Sequence, residues 1–138
     1  MASTLATYNF RAGDVLYLGT WYLPLEHWAL VTDNNTVIEN RFGIGVIETK
    51  IEDFIKRYQY FNLKKVIRDD TKDLQVVLQR ARSLLGNKYS LIDFNCEHFI
   101  DYIFDRKPVS EQVLIANRFI LGAIAGAVVT YLIIKIRD

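Results

Sequence analysis

The stretch DFNCEHF, Asp93 to Phe99, holds the single cysteine of the chain, with a histidine two residues after it. Cys96, Phe99, Ile100 and Ile103 recur at helical spacing. Asn95, and Asp93 two residues earlier, are of capping type, so the pattern predicts a helix that starts at the cysteine. The thiol then sits in the first turn, where unpaired N–H groups and the helix dipole favour a thiolate. The apolar stripe turns the sulfur toward the interior. A lone cysteine on such a stripe also fits a small buried hydrophobe, so a catalytic reading needs a base facing it.

The chain offers two histidines. His98 shares the helix with Cys96, but residues two apart project on different sides, and a structural role is expected for it. His27 opens HWALV, a strand-like run suited to holding an imidazole rigidly; it reads either as the base or as a satisfied core histidine beside Trp28. A thiol at a helix start facing a strand-borne histidine is the papain-type arrangement, which activates sulfur by ion pairing.

Working outward, short β-favouring runs cover Val15 to Leu18, His27 to Val31, Thr36 to Asn40 and Val46 to Thr49, with LKKVIR a further strand candidate. Asp33-Asn34-Asn35 makes a turn, and IEDFIKRYQYF a short helical or irregular stretch. Leu74, Val77, Leu78, Ala81, Leu84 and Leu85 have helical spacing, with Thr71 as the expected N-cap and Gly86 as the stop. The expected class is α+β, an antiparallel sheet packed with helices.

At 138 residues there is room for one domain and an appendage. Seventeen basic residues against sixteen acidic ones give no field that would draw in nucleic acid. One cysteine excludes an intrachain disulfide and multi-cysteine metal sites and suits a reducing compartment, so neither a metal nor a cofactor is expected. The first ten residues, MASTLATYNF, lack the pattern of a secretory signal. Phe119 to Ile134 runs about sixteen residues without a charge, and Val113 to Ile136 is long enough to cross a hydrocarbon core of roughly 30 Å. Residues 111–138 therefore read as a C-terminal transmembrane anchor after a domain at 1–110, in preference to a buried helix that so small a domain can hardly surround. KPVSEQ, with Pro108, is a hinge candidate, and Gly122 and Gly126 form a GxxxG step that could support self-association.

GDVLYL, EHWALV and LLGNKYSLIDFNCEHF, followed by VSEQV and an apolar C-terminus, resemble the lecithin:retinol acyltransferase family, and most of all its small phospholipase A/acyltransferase branch. The resemblance runs from about Gly13 to the end. It implies a circularly permuted papain-like fold, in which the histidine precedes the cysteine as His27 precedes Cys96. It further implies acyl transfer from phospholipid through a thioester, with Cys96 as nucleophile and His27 as base; the lone cysteine and the N-terminus without a secretory pattern place the catalytic domain in the cytosol, and the apolar run places it at a membrane.

One position departs from the family's pattern. Its members commonly carry a second histidine in the strand after the turn, and here that position is Glu39. If Asp33-Asn34-Asn35 is the loop, Ala29 lies opposite Glu39, which then shares the His27 face one diagonal step away and can orient the imidazole as a third catalytic residue. A two-residue loop would instead turn Asn40 toward His27, and an exposed strand glutamate is the plain alternative. Histidine restored at position 39 is expected to retain or raise activity. Tyr22 is a candidate oxyanion donor, second to the Cys96 N–H, and Trp21 to Leu25 form either a core edge or a membrane-touching loop. Two other functions fit the same residues: a papain-like peptidase or amidase, and an inactive membrane-tethered interaction module.

Overall fold

The computed structural model describes residues 4–21 and 25–106, together with position 123. Its elements are β1 (Val15–Gly19), β2 (Glu26–Val31), β3 (Thr36–Arg41), β4 (Gly45–Lys50), α1 (Ile51–Arg57), β5 (Asn62–Ile67), α2 (Leu74–Ser83) and α3 (Cys96–Ile103). The strands form one antiparallel sheet in the order β4-β3-β2-β1-β5.

Alternation along the strands gives the sheet two apolar faces. Val15, Leu30, Ile38 and Val46 pack under α2 and α3 with Leu78, Phe99 and Ile103. Leu16, Ala29, Val31 and Val37 pack on the other side with Phe54 and Tyr58. Sheet and helices therefore follow the expected α+β pattern, with helices on both faces.

The register that matters most is set by the turn between β2 and β3. The Thr32 N–H donates to the Thr36 carbonyl at 2.9 Å, and Asn35 takes the left-handed conformation at φ 57 that a three-residue hairpin loop requires. Ala29 is consequently opposite Glu39, which puts Glu39 on one face and Asn40 on the other.

The start of α2 differs from the sequence expectation. Asp73, rather than Thr71, caps it, its carboxylate accepting the N–H groups of Gln75 and Val76. The Thr71 hydroxyl is taken by the nearer Asp69 carboxylate, which leaves the following acid to serve the helix. The helix also stops at Ser83, and Gly86, at φ 87, donates its N–H to the Val46 carbonyl at 3.0 Å. The expected tail anchor, the Gly122/Gly126 step, the Pro108 hinge and Tyr22 lie outside the described residues. Among those described, no helix is long and apolar enough to cross a membrane.

Candidate active site

The site lies at one end of the sheet, where β2 begins, β3 ends and α3 starts. Cys96 is the first residue of α3, as the apolar stripe indicated, and is 2% exposed. Asn95 is the N-cap, its side chain accepting the N–H groups of Glu97 and His98, while His98 Nδ1 accepts the Asn95 N–H at 3.3 Å. This reciprocal capping box occupies His98 in structure; caps of this kind stabilise by about 1 kcal/mol. Asp93 is not the cap and belongs to the preceding turn, where its N–H donates to Ser90 Oγ at 3.2 Å.

Two further contacts hold the loop before α3 against the sheet. Asn40, buried on the helix side of β3, donates from Nδ2 to the carbonyls of Phe94 at 2.8 Å and Asn95 at 3.1 Å. Gly45 at the start of β4 approaches the loop so closely that a Cβ there would lie 2.1 Å from the Asn87 carbonyl oxygen, and its φ of 110 suits only glycine. The neighbouring Val46 N–H donates to that same carbonyl at 2.9 Å. The β2–β3 ladder stops at Ala29 and Glu39, so α3 meets the sheet where these two strands cease to pair.

At that place His27 bridges two groups. Its Nε2 lies 2.7 Å from Glu39 Oε2, and the imidazole also shares a hydrogen bond with Cys96. Burial alone would lower the imidazole's pKa, but the hydrogen bonds and charges of Cys96 and Glu39 outweigh it and push it up to about 9. The imidazolium is the favoured form at neutral pH.

Glu39 is wholly buried, and an isolated carboxylate there would be costly. Three partners compensate it: His27, the Arg57 guanidinium at Oε1 and the Tyr58 hydroxyl at Oε2. Burial raises its pKa, yet His27, Tyr58 and Arg57 together hold it below the usual carboxylate value. Tyr58 also stacks on the His27 ring, with centroids 4.7 Å apart and planes at 17°. Its own acidity is suppressed by burial and by the Glu39 charge, so it remains a hydrogen-bond donor.

Cys96, His27 and Glu39 are thus brought together in one chain of hydrogen bonds, while Asn40 and His98 serve the scaffold. Arg57 and Tyr58 escaped the sequence reading. A buried carboxylate on β3 called for a cation, but nothing in the local pattern put the end of α1 over that strand. Tyr89 was also missed: burial and the Cys96 charge push its phenol up to about 12, and its ring stands edge-on to Phe42. A cavity of about 190 Å³ lined by Gly13, Arg68, Lys72 and Phe104 lies at the opposite end of the sheet and does not reach this site. Among the described residues no group of three or more His, Cys, Asp or Glu side chains gathers as a metal would need.

Three curated relatives share the sequence at low identity. The chain is 28% identical to phospholipase A and acyltransferase 5 of Rattus norvegicus, over 86% of this chain and 48% of that protein. The proteins of the same name from Mus musculus and Homo sapiens are also 28% identical over 86% of this chain, which covers 51% and 50% of them. The chain spans about half the length of these relatives. The family model for lecithin retinol acyltransferase matches residues 8–108, which include β1 to β5 and α1 to α3, and with that coverage the chain belongs to the lecithin retinol acyltransferase family.

Proposed function

We propose that the chain is a membrane-anchored, cysteine-dependent phospholipid acyl hydrolase or acyltransferase with a circularly permuted papain-like arrangement. The observation that carries this reading is the hydrogen-bonded sequence from Cys96 through His27 to Glu39 at a helix start. Membership of a family whose relatives are named as phospholipases and acyltransferases supports the choice of an acyl ester.

In the proposed cycle the Cys96 thiolate attacks the carbonyl carbon of a phospholipid ester, and the C=O electrons move onto oxygen. The Cys96 N–H at the start of α3 is the donor for that oxyanion. Collapse breaks the bond to the lysophospholipid oxygen, which takes the His27 proton and departs, leaving acyl-Cys96 and a neutral imidazole. Water, or an amine acceptor, then gives a proton to His27 as its oxygen or nitrogen attacks the thioester. Loss of the thiolate releases fatty acid or amide and restores the ion pair. Glu39 keeps the ring oriented and stabilises its cationic form throughout, as the third member of a triad does. The apolar C-terminal run would keep the domain at its substrate, so local concentration substitutes for tight binding.

The test is intact-protein mass after an early acid quench in the presence of phospholipid. Wild-type protein is expected to carry one fatty-acyl mass, labile to hydroxylamine, and Cys96→Ala none. Acyl mass on the Cys96→Ala protein, or peptide cleavage by wild type without any lipid turnover, would overturn the reading.

A further inference from the structure

Ten large apolar side chains are exposed among the described residues, and eight of them lie at the end of the sheet that holds Cys96; Val76 on α2 and Tyr102 on α3 are the exceptions. Trp21 and Leu25 flank the β1–β2 connection, Phe42 and Ile44 form the tip of the β3–β4 hairpin, and Leu91 and Ile92 stand in the loop before α3. These are the segments that lead into His27, out of Glu39 and into Cys96. Single exposed apolar residues are ordinary on a protein surface, but a cluster confined to the loops around one reactive centre marks an interaction surface.

The charges among these loops identify its partner. Arg41, Lys56, Lys64 and Lys88 stand against Glu26, Asp93 and Glu97, a near balance that suits neither a polyanion nor a strongly anionic surface. Lys64 Nζ lies 3.4 Å from the ring centroid of the exposed Trp21, so an aromatic face and a cationic tip occur as one unit. Aromatic and aliphatic tips mixed with lysines that can extend to water are the composition of the boundary between headgroups and acyl chains.

The chain beyond the sheet permits the same orientation. About twelve residues separate Arg106 from the uncharged run that begins at Phe119, and when extended they reach roughly 40 Å. Helix α3 is only about 12 Å long, so a run leaving its far end can still enter the membrane that the opposite end faces.

We propose that this end of the domain inserts into the surface of a zwitterionic phospholipid bilayer, by apolar burial rather than charge attraction, and thereby presents Cys96 to the ester layer. The proposal deepens the function proposed above and rests on it for the identity of the ester.

The test uses the full chain carrying Cys96→Ala, with one new cysteine at a time: Ile44→Cys or Ile92→Cys at this end, and Val76→Cys or Tyr102→Cys as controls. Each is labelled with a fluorophore and mixed with dioleoylphosphatidylcholine vesicles whose acyl chains carry bromine as a quencher. Quenching is expected to be several-fold greater at positions 44 and 92 than at 76 and 102, and insensitive to salt. Equal quenching at all four positions, greater quenching at the controls, or insertion only when anionic lipid is added overturns the proposal. In a catalytically intact chain, Ile44→Glu with Ile92→Glu should lower turnover on these vesicles about tenfold or more, while turnover of a monomeric short-chain phosphatidylcholine is unchanged. The labelled readout needs no catalysis. Insertion without any phospholipid turnover by wild type would sink the enzymatic reading and leave this one standing; turnover without insertion would do the reverse.

Discussion

Replacing Glu39 with glutamine isolates the role of its charge, because the two side chains have nearly the same shape. The carboxylate is buried with three partners, and glutamine removes the charge that compensates His27 and Arg57. Breaking a buried pair costs about 3–5 kcal/mol. The lower end applies here, since the Arg57 side chain keeps 24% of its exposure and glutamine retains an acceptor. A loss of about 3 kcal/mol corresponds to a fall of about 10–20 °C in Tm for a domain of this size. Turnover should drop about ten- to a thousandfold, judged against the larger losses in established triads. The pH dependence carries the sign. His27 is raised from 6.5 to about 9 by Cys96 and Glu39 against the effect of burial, so its contribution to stability is full below about 6.5 and is lost as pH rises through about 9. That contribution is on the order of 3 kcal/mol in total, and part of it belongs to Glu39. Glu39→Gln should therefore widen its Tm deficit at pH 6 relative to pH 10, and the alkaline limb of turnover should move to lower pH. A variant that unfolds and turns over as wild type does, with its alkaline limb in place, would refute the coupling. Histidine at position 39 is now expected to fail, because it would meet the Arg57 guanidinium with no negative charge between them. That reverses the expectation drawn from the resemblance alone.

Tyr58→Phe should keep the stack on His27 but lose the hydrogen bond to Glu39, lowering stability by about 1–2 kcal/mol and turnover several-fold with KM little changed; equal turnover would show that the hydroxyl does not help position the carboxylate. Asn40→Ala should free the carbonyls of Phe94 and Asn95 and cost about 1–3 kcal/mol by thermal unfolding, and a wild-type melting curve would show that this clamp contributes nothing. Gly45→Ala should destabilise by about 2 kcal/mol or more, because the left-handed backbone and the Asn87 carbonyl both oppose a methyl group, and a neutral result would mean that the loop yields at no cost.

The elements were largely legible because their signals are local. Short β-favouring runs between turn residues marked the strands, helical spacing marked α2 and α3, and Asn95 before an apolar stripe placed Cys96 at a helix start. The choice between Glu39 and Asn40 was also written in the chain, but only conditionally: both loop lengths were open, and the left-handed Asn35 settled which side chain shares the His27 face. Local patterns in the chain therefore suffice to name the pair of segments that meet, a strand with a histidine and a helix with a thiol. Which distant groups complete the site was decided by tertiary packing. Arg57 and Tyr58 lie at the end of α1, 18 and 19 residues beyond Glu39, and only the course of β4 and α1 over the sheet sets them on the carboxylate. Asn40 reaches Phe94 and Asn95, more than fifty residues away, for the same reason. Local periodicity fixes the face on which a side chain emerges, whereas its partner across that face depends on how separate elements bury their apolar surfaces together, a property of the whole fold.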